Sequence, residues 1–96
     1  MTDVNMIGPD TRIARSDEPV AVEVDRTVVM MSVEQGKYFG LEGPGGRIWA
    51  LMEHPRTPRE MRDTLLDEFA VDPDRCLQDI CDFLEELRRA GLVHIP

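Results

Sequence analysis

The sequence predicts an α+β domain of the winged helix-turn-helix-like class, in which a three-stranded antiparallel meander is followed by three helices. The first half of the chain carries short runs of β-branched and apolar residues separated by turn residues, which is typical of paired strands. The second half carries apolar residues at helical spacing behind two cap-plus-proline signals. The length of 96 residues fits one domain with one small core.

The three strands are predicted from short β-forming runs. Residues 20–24 (VAVEV) alternate with a period of two, which indicates a strand. Residues 27–33 (TVVMMSV) are almost continuously apolar, so we expect them to be buried on both faces. A turn at residues 34–36 leads into residues 37–41 (KYFGL), the third predicted strand.

The three helices are predicted from apolar spacing and from their start and stop signals. The first is expected from about residue 45 or 46 to residue 54, ahead of a proline. The second begins at residues 57–60 (TPRE), which combine an N-cap threonine, a proline at N1 and a glutamate at N3. The third is expected over residues 73–90, and Gly91 is placed to end it as the C′ residue.

The first 18 residues are polar, contain a Gly-Pro pair and end at a Glu-Pro pair, so we expect a flexible N-terminal arm over residues 1–18. A short extended piece is expected around residues 12–14, and the domain itself is assigned to residues 19–96. The N-terminus lacks the basic and apolar regions of a signal peptide, and no apolar run approaches the roughly 20 residues of a membrane span. We therefore expect a cytoplasmic protein without a membrane partner.

The chain is acidic, with a net charge of −8, although its predicted architecture is one that often binds DNA. Residues 74–90, the predicted recognition helix, carry five acidic and three basic side chains. DNA binding requires a basic footprint, so we expect no nucleic-acid partner. A winged-helix DNA-binding regulator nevertheless stays the main alternative, and a structural subunit of a larger enzyme is a third.

Signatures of catalysis are absent from the sequence. It contains no P-loop, dinucleotide fingerprint, nucleophile elbow or metalloprotease motif. The carboxylate pairs Asp67/Glu68 and Glu85/Glu86 are consecutive on predicted helices, so their side chains diverge and are expected to be solvated. We expect no enzymatic activity, no catalytic residue and no cofactor.

The two cysteines, Cys76 and Cys81, lie five positions apart on the third predicted helix. This spacing gives a rise of about 7.5 Å and a rotation of about 140°. The thiols are therefore too far apart for a disulfide and do not share a face for metal binding. We expect two buried or half-buried thiols and no metal site.

The third predicted strand and the third predicted helix are the two candidate walls of a binding groove. Residues 37–41 form an edge strand, and an added peptide strand can pair with such an edge. Phe39 and Leu41 are expected to share the core face, and Tyr38 and Gly40 the other face. The apolar arc of the helix is wider than one core contact needs, which fits either a groove wall or a helix packed centrally.

Over residues 18–95 the chain resembles the PqqD-like family, the small domains also called RiPP precursor recognition elements. The resemblance is carried by the meander ending in GKYFGLE, by GGRIW at the first helix, by TPREMRDTLLDEF and by the ending DICDFLEELRRAGLV. Members bind the leader segment of a ribosomally made precursor peptide and deliver it to a modifying enzyme. The resemblance implies that the leader adds as a strand beside the third strand, in the cleft with the third helix. Carried over by position, the peptide-binding residues are Lys37, Tyr38, Phe39, Gly40, Leu41, Cys76, Asp79, Ile80 and Phe83.

Within this family the chain resembles the stand-alone lasso peptide type, mainly in the segments YFGLE and IWALMEHPRTPREM. This resemblance implies a non-catalytic adaptor whose partners are a precursor leader peptide and a leader peptidase of cysteine-protease type. The alternative within the family is a chaperone for a radical SAM enzyme in pyrroloquinoline quinone synthesis.

Overall fold

The computed structural model describes residues 6–17, 20–25 and 27–96. The elements follow one another as β1 (Ala14–Arg15), β2 (Val20–Val24), β3 (Thr27–Ser32), β4 (Lys37–Leu41), α1 (Pro44–Leu51), α2 (Pro58–Glu68), α3 (Pro73–Arg89) and β5 (Val93–His94). Strands β2, β3 and β4 form an antiparallel meander in that order, and β1 pairs with β5. The predicted α+β class, with a three-stranded meander before three helices, is confirmed. No helix in the described part of the chain is long and apolar enough to cross a bilayer.

The strand register determines which side chains share each face of the meander. The inner face carries Ala21, Glu23, Val28, Met30, Ser32, Lys37, Phe39 and Leu41. The outer face carries Val20, Val22, Val24, Thr27, Val29, Met31, Tyr38 and Gly40. Met30 is fully buried whereas its neighbour Val29 is exposed, so the prediction that residues 27–33 are buried on both faces is wrong. The apolar run is only half covered because the helices pack on the inner face alone.

The helix ends follow the local signals in the sequence. At the start of α2, the Thr57 hydroxyl accepts from the amide of Glu60 at 3.2 Å, and the Glu60 carboxylate accepts from the amide of Thr57 at 2.9 Å. This reciprocal pair is the predicted capping box. At the end of α3, Gly91 has a φ of 77°, and the amide of Leu92 donates to the carbonyl of Leu87 at 2.9 Å. These features form a Schellman motif, in which Gly91 occupies the predicted C′ position.

Helix α1 is shorter than predicted and more deeply buried. It begins at Pro44 and ends at Leu51, rather than continuing to residue 54. After Leu51 the amides of Met52 and Glu53 donate to carbonyls three residues back, which tightens and ends the helix. Trp49 of this helix is buried in the core.

The N-terminal segment is packed onto the helices over residues 6–17, in contrast to the flexible arm expected for residues 1–18. The side chains of Ile7 and Ile13 are buried in the core. The backbone of Ile13 exchanges two hydrogen bonds with Arg56, at 2.8 and 3.0 Å, and β1 pairs with β5. Two isolated isoleucines in a polar stretch create no periodicity, which is why the sequence pattern does not reveal them. Positions 1–5 and 18 of the expected arm lie outside the described residues.

Glu85 is a buried carboxylate that fastens the N-terminal segment to α3. Its side chain is 3% exposed, and Oε1 accepts from the amides of Met6 and Ile7 at 2.9 and 3.0 Å. Its Oε2 accepts from Arg88 Nη2 at 2.9 Å. The expectation that Glu85 and Glu86 are both solvated is therefore wrong for Glu85, since its partners lie almost 80 positions away in sequence. The hydrogen bond from Arg88, helped by the two amides, holds the pKa of Glu85 below its ordinary value despite burial.

We predict that Glu85→Gln lowers the free energy of unfolding at neutral pH by about 1.5–3 kcal/mol, the range for hydrogen bonds to charged groups. The variant keeps the shape of the side chain but loses its charge. Because the native pKa is lowered, the stabilisation is complete above the unfolded-state value of about 4.3 and is lost as the pH falls through the native pKa. Urea unfolding at a series of pH values measures the difference, which should shrink upon acidification.

The matched control is Glu86→Gln, which makes the same change at the next, exposed position. It should stay within about 0.5 kcal/mol of the wild type. Equal stability of the Glu85→Gln variant and the wild type at neutral pH would contradict the role of Glu85.

Candidate peptide-binding cleft

Strand β4 presents an open edge, because β3 is its only neighbour among the described strands. The five residues predicted as the strand wall of the groove lie along this edge: Lys37, Tyr38, Phe39, Gly40 and Leu41. In an antiparallel pair, alternate residues turn their N–H and C=O groups toward the neighbour, so the remaining residues turn theirs toward the open side. The edge therefore offers unpaired main-chain groups to a further strand.

A cavity of about 520 Å³ opens beside the end of β4. It lies between the loop after β4, α1, the end of α2 and the N-terminal half of α3. Its lining is mainly apolar and consists of Glu42, Pro44, Gly45, Ile48, Leu65, Phe69, Val71, Asp72, Arg75, Cys76, Asp79, Ile80 and Phe83. The volume falls in the range of ligand pockets, which is ample for apolar side chains of a guest peptide.

The helix wall of the groove comes together as predicted, since Cys76, Asp79, Ile80 and Phe83 all line this cavity. Their spacing of three and four positions places them on one face of α3. Cys76 and Ile80 are buried and form the floor, whereas Asp79 is exposed and Phe83 is half-buried.

Phe83 connects this wall to the end of β4. A Cβ atom built on Gly45 would lie 3.3 Å from Phe83 Cζ and 3.9 Å from Leu41 Cβ. The absence of a side chain at Gly45 thus lets the phenyl ring of Phe83 approach α1 closely. The ring stands where the cavity meets the strand, so it borders both parts of the cleft.

The strand wall contributes mainly its backbone. Phe39 and Leu41 are on the inner face and pack against the core, as predicted, and Leu41 is buried. Tyr38 and Gly40 are on the outer face, so their side-chain positions point away from the helices. Lys37 is exposed at the start of the strand. The cleft therefore combines main-chain groups from β4 with side chains from α3.

The far side of the cavity was not predicted from the sequence. Leu65 and Phe69 of α2 and Val71 of the following loop line it, together with Ile48 and Pro44 of α1. Val71 is 43% exposed although it is apolar and lies in a loop. An apolar residue just before the Asp-Pro start of α3 is the one signal that points to this wall.

The rim of the cavity is acidic. Glu42 and Asp79 are exposed there, and Arg75 Nε lies 3.9 Å from Asp79 Oδ2. Asp72 also lines the rim, but its Oδ1 accepts from the amides of Asp74 and Arg75 at 3.0 Å and so caps α3. The polar groups at the rim thus favour neutral or basic groups on a guest.

The cysteines behave as apolar lining groups. Both are free thiols. Burial raises the pKa of Cys76, with a further contribution from the charge of Asp79, and burial likewise raises the pKa of Cys81. Both thiols therefore stay protonated at neutral pH and are poor nucleophiles. In the described part of the chain, no three His, Cys, Asp or Glu side chains are grouped as a metal site.

Comparison with known proteins identifies the family. The profile of the family described as Coenzyme PQQ synthesis protein D (PqqD) matches residues 27–93, which include β3, β4 and all three helices. The chain therefore belongs to the PqqD family. A search of curated proteins finds no match.

Two solved structures are similar to this chain. The structure of TbiB1 in complex with the TbiA(beta) leader peptide has 36% sequence identity and a TM-score of 0.79, over 84% of this chain and 94% of that chain. A lasso peptide synthetase B1 complexed with its leader peptide has 18% identity and a TM-score of 0.77, over 85% and 96% of the two chains. The similarity to this second structure shows that the two chains share a fold.

We predict that both thiols react slowly with iodoacetamide at neutral pH, because burial limits access and keeps the thiols protonated. Alkylation followed by mass spectrometry should give rates well below that of free cysteine, and the rates should rise with pH. The same protein in urea serves as the control, where both thiols should react at the rate of free cysteine. Native rates equal to those in urea would contradict the burial of these side chains.

Proposed function

We propose that this chain is a non-catalytic adaptor that binds the leader segment of a ribosomally synthesised precursor peptide. The leader adds as a fourth strand to the open edge of β4 and inserts apolar side chains into the cavity beside α3. The observation that carries this proposal is the juxtaposition of an unpaired strand edge and an apolar cavity of about 520 Å³. The 36% identity with TbiB1, which was solved with a leader peptide, supports it.

The two parts of the cleft supply different terms of the binding free energy. Each main-chain hydrogen bond contributes about 0.5–1.5 kcal/mol net and is nearly independent of the guest sequence. Each large apolar side chain that is buried contributes about 1.5–3 kcal/mol and depends on its shape. Since association itself costs several kcal/mol, neither term alone gives tight binding. The edge of β4 thus provides sequence-tolerant affinity, and the cavity selects the leader.

The residues assigned to this role are those predicted from the resemblance, each with a part in the cleft. Lys37, Tyr38, Phe39, Gly40 and Leu41 provide the edge, and Cys76, Asp79, Ile80 and Phe83 provide the helix wall. The far wall of the cavity, formed by residues of α1 and α2, belongs to the proposed site as well.

The receiving enzyme in this proposal is a leader peptidase of cysteine-protease type, in a lasso peptide pathway. The resemblance of the segments YFGLE and IWALMEHPRTPREM to the lasso type supports this choice over a radical SAM enzyme of pyrroloquinoline quinone synthesis, although the family profile carries the name of that pathway. The two partners are distinguished by adding this chain to each purified enzyme with its own precursor. The proposal requires faster leader removal by the peptidase, and no change in a precursor incubated with this chain alone.

DNA binding has no support from the charges of the exposed α3 surface. Asp74 and Asp79 are exposed on the N-terminal half of the helix, where Arg75 is the basic residue. A recognition helix contacts base edges from its N-terminal part, so these carboxylates would face phosphates and bases. The charge therefore opposes the winged-helix regulator that the fold alone would allow.

We predict that changes at either wall of the cleft weaken leader binding without unfolding the protein. Phe83→Ala removes a large apolar side chain from the cavity and should weaken binding by roughly 10- to 100-fold. Gly40→Pro removes a main-chain donor of β4, whereas Gly40→Ala retains it and adds a methyl group with no atom within 4 Å. The proline variant should lose affinity and the alanine variant should retain it.

Fluorescence polarisation measures the affinities, with the TbiA(beta) leader peptide as the labelled probe. Circular dichroism identifies the variants that remain folded. If Gly40→Pro unfolds the sheet, its N–H faces β3, and Tyr38→Pro is expected to do the same. Lys37→Pro, which replaces an exposed side chain of the same alternation as Phe39, then tests the open edge. Folded variants at both walls with wild-type affinity would rule out this cleft as the site.

A further inference from the structure

The outer face of the meander is apolar and exposed. Its exposed apolar side chains, which we call the valine face, are 55% exposed at Val20, 57% at Val22, 52% at Val24, 38% at Val29 and 75% at Tyr38. An antiparallel sheet with one face packed on a core ordinarily carries polar residues on the other face.

In strand β2 the usual arrangement, with apolar residues on the covered face and polar residues on the free face, is reversed. Its three valines point outward, whereas Ala21 and Glu23 occupy the inner face. The apolar alternation of β2 is therefore directed away from the core that the helices form. Burial against the helices cannot account for these valines.

The valine face also lacks charge. Among the described residues of β2, β3 and β4, none of those on the outer face is Asp, Glu, Lys, Arg or His, although the chain has a net charge of −8. An apolar, uncharged patch on an otherwise acidic surface is typical of a protein–protein contact. The partner that fits it presents an apolar and uncharged face of its own.

The size of the face limits what can occupy it. Three strands about 4.8 Å apart and five residues of about 3.4 Å each give roughly 240 Å², against about 800 Å² per partner in a stable complex. The valine face alone is therefore too small to hold either a second copy of this chain or an enzyme stably, so a partner must contact further surface beside it. A guest strand on β4 would lie in the plane of the sheet, and its outward side chains would extend the same surface beyond Tyr38.

We propose that the valine face is the docking surface for the enzyme that processes the bound peptide. This inference rests on the proposed function. The enzyme contacts the valines and the outward side chains of the added leader strand as one continuous surface. It therefore binds the complex of chain and leader more tightly than the empty chain, and the inner cleft and the outer face have separate roles.

The test compares Val22→Asp with Ala21→Asp, which adds the same charge at the adjacent, also exposed position on the opposite face of β2. Leader affinity is measured by fluorescence polarisation with the TbiA(beta) leader peptide. Affinity for a purified leader peptidase of cysteine-protease type is measured by biolayer interferometry, with and without that leader. Val22→Asp should leave leader affinity within about twofold and weaken peptidase binding at least tenfold, whereas Ala21→Asp should change neither. Val22→Thr, a smaller change that favours strands, should give an intermediate loss.

The possible outcomes distinguish the docking surface from the proposed leader-binding function. Wild-type peptidase affinity for Val22→Asp, in the presence of leader, would overturn the docking surface while leaving the proposed function intact. A wild-type chain that binds no leader would overturn both. A dimer of the wild type that Val22→Asp converts to a monomer in sedimentation velocity would identify a second copy as the occupant instead, and would also overturn the proposal.

Discussion

The helices of this protein cover only one face of a three-stranded sheet, and its other surface features follow from that constraint. Met30 and Leu41 are buried on the covered face, whereas the valines of β2 and Val29 of β3 are exposed on the other. A sheet of three strands has two edge strands, and β4 is the edge that runs into the apolar cavity beside α3. The open edge, the cavity and the valine face thus all result from a sheet that has only three strands and is covered by helices on one face. A peptide strand added at β4 would extend this sheet.

Contacts from the rest of the chain fix the position of α3 relative to the sheet. The Schellman motif ends the helix at Gly91 and directs the chain into β5, which pairs with β1. Glu85 binds the backbone of residues 6 and 7, so the N-terminal segment is fastened along the helix. On the opposite side, the ring of Phe83 rests against Gly45 at the start of α1. These contacts fix one wall of the cleft independently of any guest, which reduces the entropy that binding must overcome.

Features with local causes were predictable from the sequence, and those with distant partners were not. The capping box at Thr57 and the glycine after α3 act within a few residues, so their patterns are sufficient. The helix residues Cys76, Asp79, Ile80 and Phe83 were implied by the family resemblance rather than by their spacing alone, and all four line the cavity. By contrast, the exposed side of β3 depends on how many layers cover the sheet, and no property of the run TVVMMSV determines that. The burial of Glu85 and Ile13 likewise depends on segments far away in the sequence.

Hydrogen exchange of the β4 amides, followed by NMR with and without saturating leader peptide, tests the central claim of strand addition most directly. The β4 amides that do not bond to β3 should exchange rapidly in the free protein and become protected in the complex, at every second residue of Lys37–Leu41. The amides of β2, on the other edge of the same sheet, should keep their exchange rates. Protection along β2, or binding that leaves β4 unprotected, would contradict strand addition at β4.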